Sequence, residues 1–210
     1  MNVELEKRFL IDSNTKTTLE KFLSTKGEFK RVDKRFSLIY YKNEDLGEEE
    51  NETIDLRVKV TSGACKVSLK VGSWHADALR KEYEFNFEME DLENVLNVLK
   101  VAGFKWGAIN YLTRKVYEYN ALEICIDAHY TFDKILVEME ALNSDPDTVK
   151  KFEYAVKSIS KRYNLNELKS EEMKEFVNRL NGRLDWKFNF QDTQIEKWLC
   201  EWKDHISCLK

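Results

Sequence analysis

Ionisable residues recur at every second position in several short segments, and their signs are sorted by segment. Glu4, Glu6 and Arg8 alternate with Val3, Leu5 and Phe9, and only Lys7 interrupts the apolar series. Arg57 and Lys59 alternate with Leu56, Val58 and Val60, while Lys66, Ser68 and Lys70 alternate with Val67, Leu69 and Val71. Arg80, Glu82 and Glu84 oppose Tyr83, Phe85 and Phe87, with Lys81 as the exception. Later, Glu123, Cys125 and Asp127 oppose Ile124 and Ile126, and Glu138 with Glu140 opposes Val137, Met139 and Ala141. A period of two places successive side chains on opposite faces of a β-strand, so each segment has one charged and one apolar face.

Such faces have a definite chemistry. Arg and Lys gathered on one wall call for a polyanion, and the planar fork of Arg suits phosphate because it donates two parallel hydrogen bonds. Clustered Glu carboxylates call for a hard divalent cation such as Mg²⁺ or Mn²⁺. A metal-bound triphosphate satisfies both. An ordinary antiparallel sheet with one wet face also alternates, but it mixes Thr, Ser, Gln and Lys without order. The other arrangement is a barrel whose apolar outside is covered by helices and whose charged faces point inward, where like charges need a compensating ligand.

The elements that position these residues are short strands with a few helices between them. Strands are expected over 3–11, 36–41, 55–60, 65–71, 79–87, 112–119, 122–128 and 135–141. Helices are expected over 17–26, with Leu19, Phe22 and Leu23 on one side, and over 91–102, opening with a capping Asp91 and closing at Gly103. Asp145 and Pro146 open another, ending near Tyr163, since Pro suits the first turn. A further helix spans 170–180. The last, 192–206, aligns Ile195, Trp198, Leu199, Trp202 and Ile206 as a stripe suited to a core or a dimer contact, with a lid over a ligand as the alternative. The acidic stretch from Asn43 to Thr53 reads as a solvated loop.

At 210 residues the chain can bury a core without staples. Its cysteines, Cys65, Cys125, Cys200 and Cys208, are far apart and form no CxxC, so neither a zinc site nor a secreted disulfide scaffold is indicated, and a reducing cytoplasm fits best. Cys125 reads as a small buried packing residue. The first residues alternate charged and apolar, unlike a secretory signal, and no run approaches the roughly 18 apolar residues that cross a bilayer. A net charge of -4 with 34% charged residues argues against nucleic-acid binding through a basic face. His75, His129 and His205 have no metal-ligand spacing, and neither a P-loop nor a Rossmann glycine fingerprint occurs.

The ordered set of motifs resembles the CYTH family, the triphosphate tunnel metalloenzymes. Glu4-Leu5-Glu6-Lys7-Arg8 is similar to that family's ExExK signature, Arg57-Val58-Lys59 to its basic strand, Ser68-Leu69-Lys70 to its TLK segment and Arg80-Lys81-Glu82-Tyr83-Glu84 to its RxExE strand. Arg114 matches the later basic strand, Asp127 the acidic position after it, and Glu138-Met139-Glu140 the closing ExE; Tyr40 and Tyr41 resemble the aromatic pair of the second strand. The match covers residues 3 to about 142, and more loosely the helices to about 180.

The resemblance implies an α+β fold: an eight-stranded antiparallel closed β-barrel with a charged interior, covered by helices. Residues 1–180 are read as this tunnel domain and 181–210 as a C-terminal helical extension. In it Glu4, Glu6, Glu82, Glu84, Asp127, Glu138 and Glu140 hold metal, and Arg8, Arg57, Lys59, Lys66, Lys70, Arg80 and Arg114 grip the triphosphate. Arg8 stands where the family has Lys, and an Arg stays protonated, so it cannot serve as a general base. Leu112 also stands where a Lys is usual. The activity expected is metal-dependent hydrolysis of a small triphosphate such as ATP, thiamine triphosphate or tripolyphosphate, with Glu4, Glu6 and Arg8 at the reacting centre. A nucleotidyl cyclase releasing pyrophosphate is the first alternative, for which Phe36, Trp74, His75 and Trp106 would supply a base pocket. A non-catalytic triphosphate-binding module is the second.

Overall fold

The computed structural model describes residues 5–41, 54–71, 81–141 and 146–207. Along the chain run β1 (Glu6–Ile11), α1 (Ser13–Lys26), β2 (Glu28–Tyr40), β3 (Ile54–Thr61), β4 (Ala64–Val71), β5 (Lys81–Phe87) and α2 (Leu92–Val101). Then come β6 (Trp106–Tyr119), β7 (Leu122–His129), β8 (Ile135–Ala141), α3 (Pro146–Tyr163) and α4 (Ser170–Asn181). A three-residue strand β9 (Lys187–Asn189) and the short helices α5 (Ile195–Glu201) and α6 (Lys203–Ser207) follow. The fold is α+β, with a sheet of nine strands in the order β1-β8-β7-β6-β2-β3-β4-β5 and β9 beside β6. The pairs β1–β8, β2–β3, β3–β4, β4–β5, β6–β7, β6–β9 and β7–β8 are all antiparallel.

The chain divides into two compact units, Met1–Asp33 with Leu112–Glu172, and Lys34–Tyr111 with Met173–Lys210. In the first unit the alternating apolar residues of β1, β7 and β8, among them Phe9, Ile11, Ile124, Ile126, Val137 and Met139, pack against Leu19 and Leu23 of α1 and Phe152, Ala155 and Ile159 of α3. Lys7 lies on this helix-covered side and pairs with Glu167 at 2.6 Å, and Lys115 does the same with Glu20 of α1 at 2.9 Å. Those two lysines break the apolar series because each meets a carboxylate there. Helix α1 starts earlier than its apolar spacing suggests, since the Asp12 side chain accepts the backbone N–H of Thr15 and caps it.

In the second unit Phe36, Leu38 and Tyr40 of β2, Leu56, Val58 and Val60 of β3, and Cys65 and Val67 of β4 share a core with α2, β9 and the C-terminal helices. The stripe expected over 192–206 is here a core stripe: Ile195, Trp198 and Ile206 are buried, and Trp198 and Trp202 stack at 5.8 Å. It is carried by two helices rather than one, broken at Trp202. Two tight hairpins, Ser62-Gly63 and Asn120-Ala121, have positive φ at both central residues, the turn whose twist matches paired strands.

Candidate functional site

Except on β5, whose Tyr83 and Phe85 are exposed, the apolar strand faces are committed to helix-packed cores, and the charged residues fall on the opposite face of the strands. In the first unit the β1–β8 register sets Glu6 opposite Glu140 and Arg8 opposite Glu138. Cys125 stands opposite Glu138, and Arg114 opposite Asp127. Arg8 donates from Nε to Glu6 at 3.1 Å and to Glu138 at 3.2 Å. Arg114 grips Asp127 through two parallel bonds of 2.7 and 2.6 Å and also donates to Glu138. Glu138 is therefore held by two guanidiniums.

The protonation states follow. Burial first, and the Glu138 carboxylate second, push Glu6 up to about 7. Burial also works to raise Glu138, but Arg114 and Arg8 outweigh it and leave that carboxyl below its usual range. Burial opposes charge on Arg114, yet its bonds to Asp127 shift it firmly toward the protonated form. Near neutral pH, Glu6 is thus poised between its acid and carboxylate forms beside an ionised Glu138. Burial raises the Cys125 thiol to about 12, and its Sγ donates to Glu123 at 3.6 Å, which favours the protonated thiol of a buried side chain.

The second unit holds the basic strands. Arg57 forks onto the buried Asp55, two residues away on β3, at 2.7 and 2.8 Å. Lys66 reaches both oxygens of Glu84 at 3.0 Å, and Lys59 approaches the same carboxylate at 3.9 Å. Lys70 pairs with Glu82 at 3.1 Å. Burial, then the neighbouring Arg57, lower Lys59 to about 8. Ser68 sits between Lys66 and Lys70 and opposite Arg57 and Glu84; it is 0% exposed, and its hydroxyl has no hydrogen-bond partner. A buried hydroxyl without a partner costs about 1–3 kcal/mol.

The residues expected from the sequence are thus gathered into two sets: Glu6, Arg8, Arg114, Asp127 and Glu138 in one, and Arg57, Lys59, Lys66, Lys70, Glu82 and Glu84 in the other. Glu4 and Arg80 lie outside the described residues, as do Trp74 and His75. Phe36 belongs to the core, whereas Trp106 lines a cavity. Asp55 was not singled out as a site residue, although its parity with Arg57 on one strand was visible.

Oxygen donors alone, two of them repelling one another, suit a hard divalent cation, whose charge would offset the burial and the Glu138 repulsion that together raise Glu6. Among the described residues no three His, Cys, Asp or Glu have converged to metal-ligand spacing. Glu6 and Glu138 spend oxygens on Arg8 and Arg114 instead.

No protein-family model and no curated protein matches the chain. Solved structures do. The PH1819 protein of Pyrococcus horikoshii OT3 superposes with a TM-score of 0.59 at 19% identity, over 84% of this chain and 99% of that one. A candidate adenylate cyclase of Vibrio parahaemolyticus gives 0.56 at 10% identity, over 80% and 94%. A candidate adenylyl cyclase of Hippeastrum, described as having a dominant triphosphatase activity, gives 0.57 at 15% identity, over 88% and 97%. The chain shares their fold. Each of these proteins is matched almost end to end, while part of this chain has no counterpart in it.

Proposed function

We propose that this chain is a CYTH-type, metal-dependent hydrolase of a small triphosphate. The observation that carries the reading is the sorting of charge on the faces opposite the two cores. Three carboxylates against two cations, Glu6, Asp127 and Glu138 against Arg8 and Arg114, occupy one set, and four cations against three carboxylates, Arg57, Lys59, Lys66 and Lys70 against Asp55, Glu82 and Glu84, occupy the other. The fold shared with candidate adenylate cyclases and with a protein described as a triphosphatase supports it.

On this reading Glu6, Glu138 and Glu140, with Glu4, would hold Mg²⁺ or Mn²⁺, which would supply charge to neutralise phosphate oxygens and to make a water more acidic. Arg57, Lys59, Lys66, Lys70 and Arg114, with Arg80, grip the phosphates, and phosphate oxygens take over the bonds that Glu82 and Glu84 now make to the lysines. Asp127 keeps Arg114 aimed and charged. Ser68 supplies a hydroxyl donor for a phosphate oxygen, which relieves its unpaired burial. Arg8 stays protonated, orders Glu6 and Glu138 and stabilises negative charge, which makes catalysis a matter of positioning and electrostatics.

The test is product identification after incubation with ATP, GTP, thiamine triphosphate or tripolyphosphate and Mg²⁺ or Mn²⁺. Metal-dependent release of orthophosphate, lost in Glu138→Gln and Arg57→Ala, is the expected result. Pyrophosphate with a cyclic nucleotide would replace hydrolysis by cyclisation, and tight metal-dependent binding without turnover would replace it by a binding module.

A further inference from the structure

Within the second unit, a cavity of about 350 Å³ is lined by Tyr41, Trp106, Gly107, Lys187, Phe188 and Asn189. We propose that this cavity takes a flat aromatic group carried by the triphosphate, so that the substrate class is a nucleoside triphosphate or a similar aryl-bearing triphosphate rather than bare tripolyphosphate. The proposal rests on the triphosphate reading and narrows it.

Its place in the fold supports this. Tyr40 turns into the core, edge-on to Phe188 and Phe104, so Tyr41 has the parity of Ile39, which stands opposite Arg57 across the β2–β3 pair. Two residues along a strand span about 7 Å. An aromatic group beside Tyr41 is therefore within reach of a phosphate chain that begins at Arg57. On β6, Trp106 pairs with Asn189 and Ala108 with Lys187, while the intervening Gly107 and Phe188 face the core. Trp106, Asn189, Lys187 and Tyr41 thus share the side opposite the aromatic core.

The walls are fixed before any ligand arrives. The Tyr41 backbone N–H donates to the Trp106 carbonyl at 3.0 Å, and the Tyr41 hydroxyl donates to the Asn181 carbonyl at 3.0 Å. Asn189 uses both ends of its amide locally, donating to Asp192 and accepting from the Gln191 backbone, each at 2.9 Å. A Cβ at Gly107 would lie 2.0 Å from the Ile39 carbonyl oxygen and 2.9 Å from the Phe188 ring, so that position stays bare. What remains for a ligand is the half-buried Trp106 ring, the Tyr41 ring and the exposed Lys187 ammonium, which is the equipment for stacking a ring near an anion rather than for reading base edges. Three of the six lining residues, Lys187, Phe188 and Asn189, come from β9, in the part of the sequence that carries no recognisable motif of the family.

The experiment is calorimetric titration, with Mg²⁺, of the β,γ-imido analogue of ATP and of bis-imidotriphosphate, which has the phosphate chain with one more ionisable oxygen and no ring. The wild type should hold the ATP analogue about tenfold more tightly, a typical effect of one base stacking on an aromatic side chain. Trp106→Ala should bring the ratio close to one, and Trp106→Phe should keep most of it. The ATP analogue alone should also quench wild-type tryptophan emission, a readout that needs no variant. A wild-type ratio near one, a ratio that survives Trp106→Ala in a folded variant, or an absence of quenching overturns the pocket while leaving the triphosphate reading intact. If neither ligand binds the wild type, the triphosphate reading itself fails and the pocket falls with it.

Discussion

Arg114→Ala removes the guanidinium that pairs with both Asp127 and Glu138. The Asp127 side chain is only 3% exposed, and taking one partner from a buried ion pair costs about 3–5 kcal/mol, because the surviving carboxylate keeps its desolvation penalty. The cost depends on pH in a defined direction. In the wild type the Glu138 carboxyl is held low, so its contribution is present above the ordinary carboxylate range and is lost as pH falls through its folded value. In the variant, burial no longer faces Arg114, the carboxyls shift upward, and acid neutralises them and relieves the penalty. The stability gap between the two proteins should therefore be widest near about pH 8 and clearly narrower by about pH 5. Urea unfolding followed by far-UV circular dichroism is the assay. Far-UV circular dichroism reports on both units, whereas Trp74, Trp106, Trp186, Trp198 and Trp202 all fall in the unit that does not contain Arg114. A gap under about 1 kcal/mol at the higher pH, or one equal at both, refutes the reasoning. Arg114→Leu combined with Asp127→Leu should recover much of the loss, as apolar replacements of buried pairs do.

Three further outcomes follow from the same geometry. Ala121 sits at φ 63° in the hairpin between β6 and β7, so Ala121→Gly should stabilise the protein by about 0.5–1 kcal/mol in thermal unfolding, because glycine accepts that conformation without strain. Ser68→Ala should leave the ligand-free stability equal or raise it by up to about 1 kcal/mol, yet weaken triphosphate binding about fivefold by calorimetry, since it removes a hydroxyl that only a ligand satisfies. Lys59, lowered to about 8 by burial and Arg57, grips phosphate as an ammonium; triphosphate affinity should fall as pH rises through that value, and Lys59→Arg should abolish the break.

The alternation of charge was legible because a two-residue period is a property of the strand itself, and β3, β4, β7 and β8 appear within about a residue of where it places them. The first half of β2, Glu28–Asp33, was not, because Glu28 to Val32 are exposed and carry no apolar face to betray a strand. The first half of β6 was hidden by Gly107, which reads as a break but is required there by the close approach of Ile39. A strand as short as β9 has no period at all. For the site, the sequence shows which residues share a face but not their partners: Arg8 turning onto Glu6 and Glu138, or Arg57 onto Asp55, depends on register and rotamer. The cavity beside Trp106 depends on Lys187 and Asn189, about 80 residues further along, which only tertiary pairing brings near.

The central claim is that the two charge sets hold a metal-bound triphosphate. Calorimetric titration of the wild type with bis-imidotriphosphate, with and without Mn²⁺, addresses it most directly. The account expects binding that needs the metal, that loses at least about tenfold in Glu138→Gln through the cation and in Arg57→Ala through the phosphates. Binding of equal strength without metal, or no binding by the wild type in its presence, would contradict it.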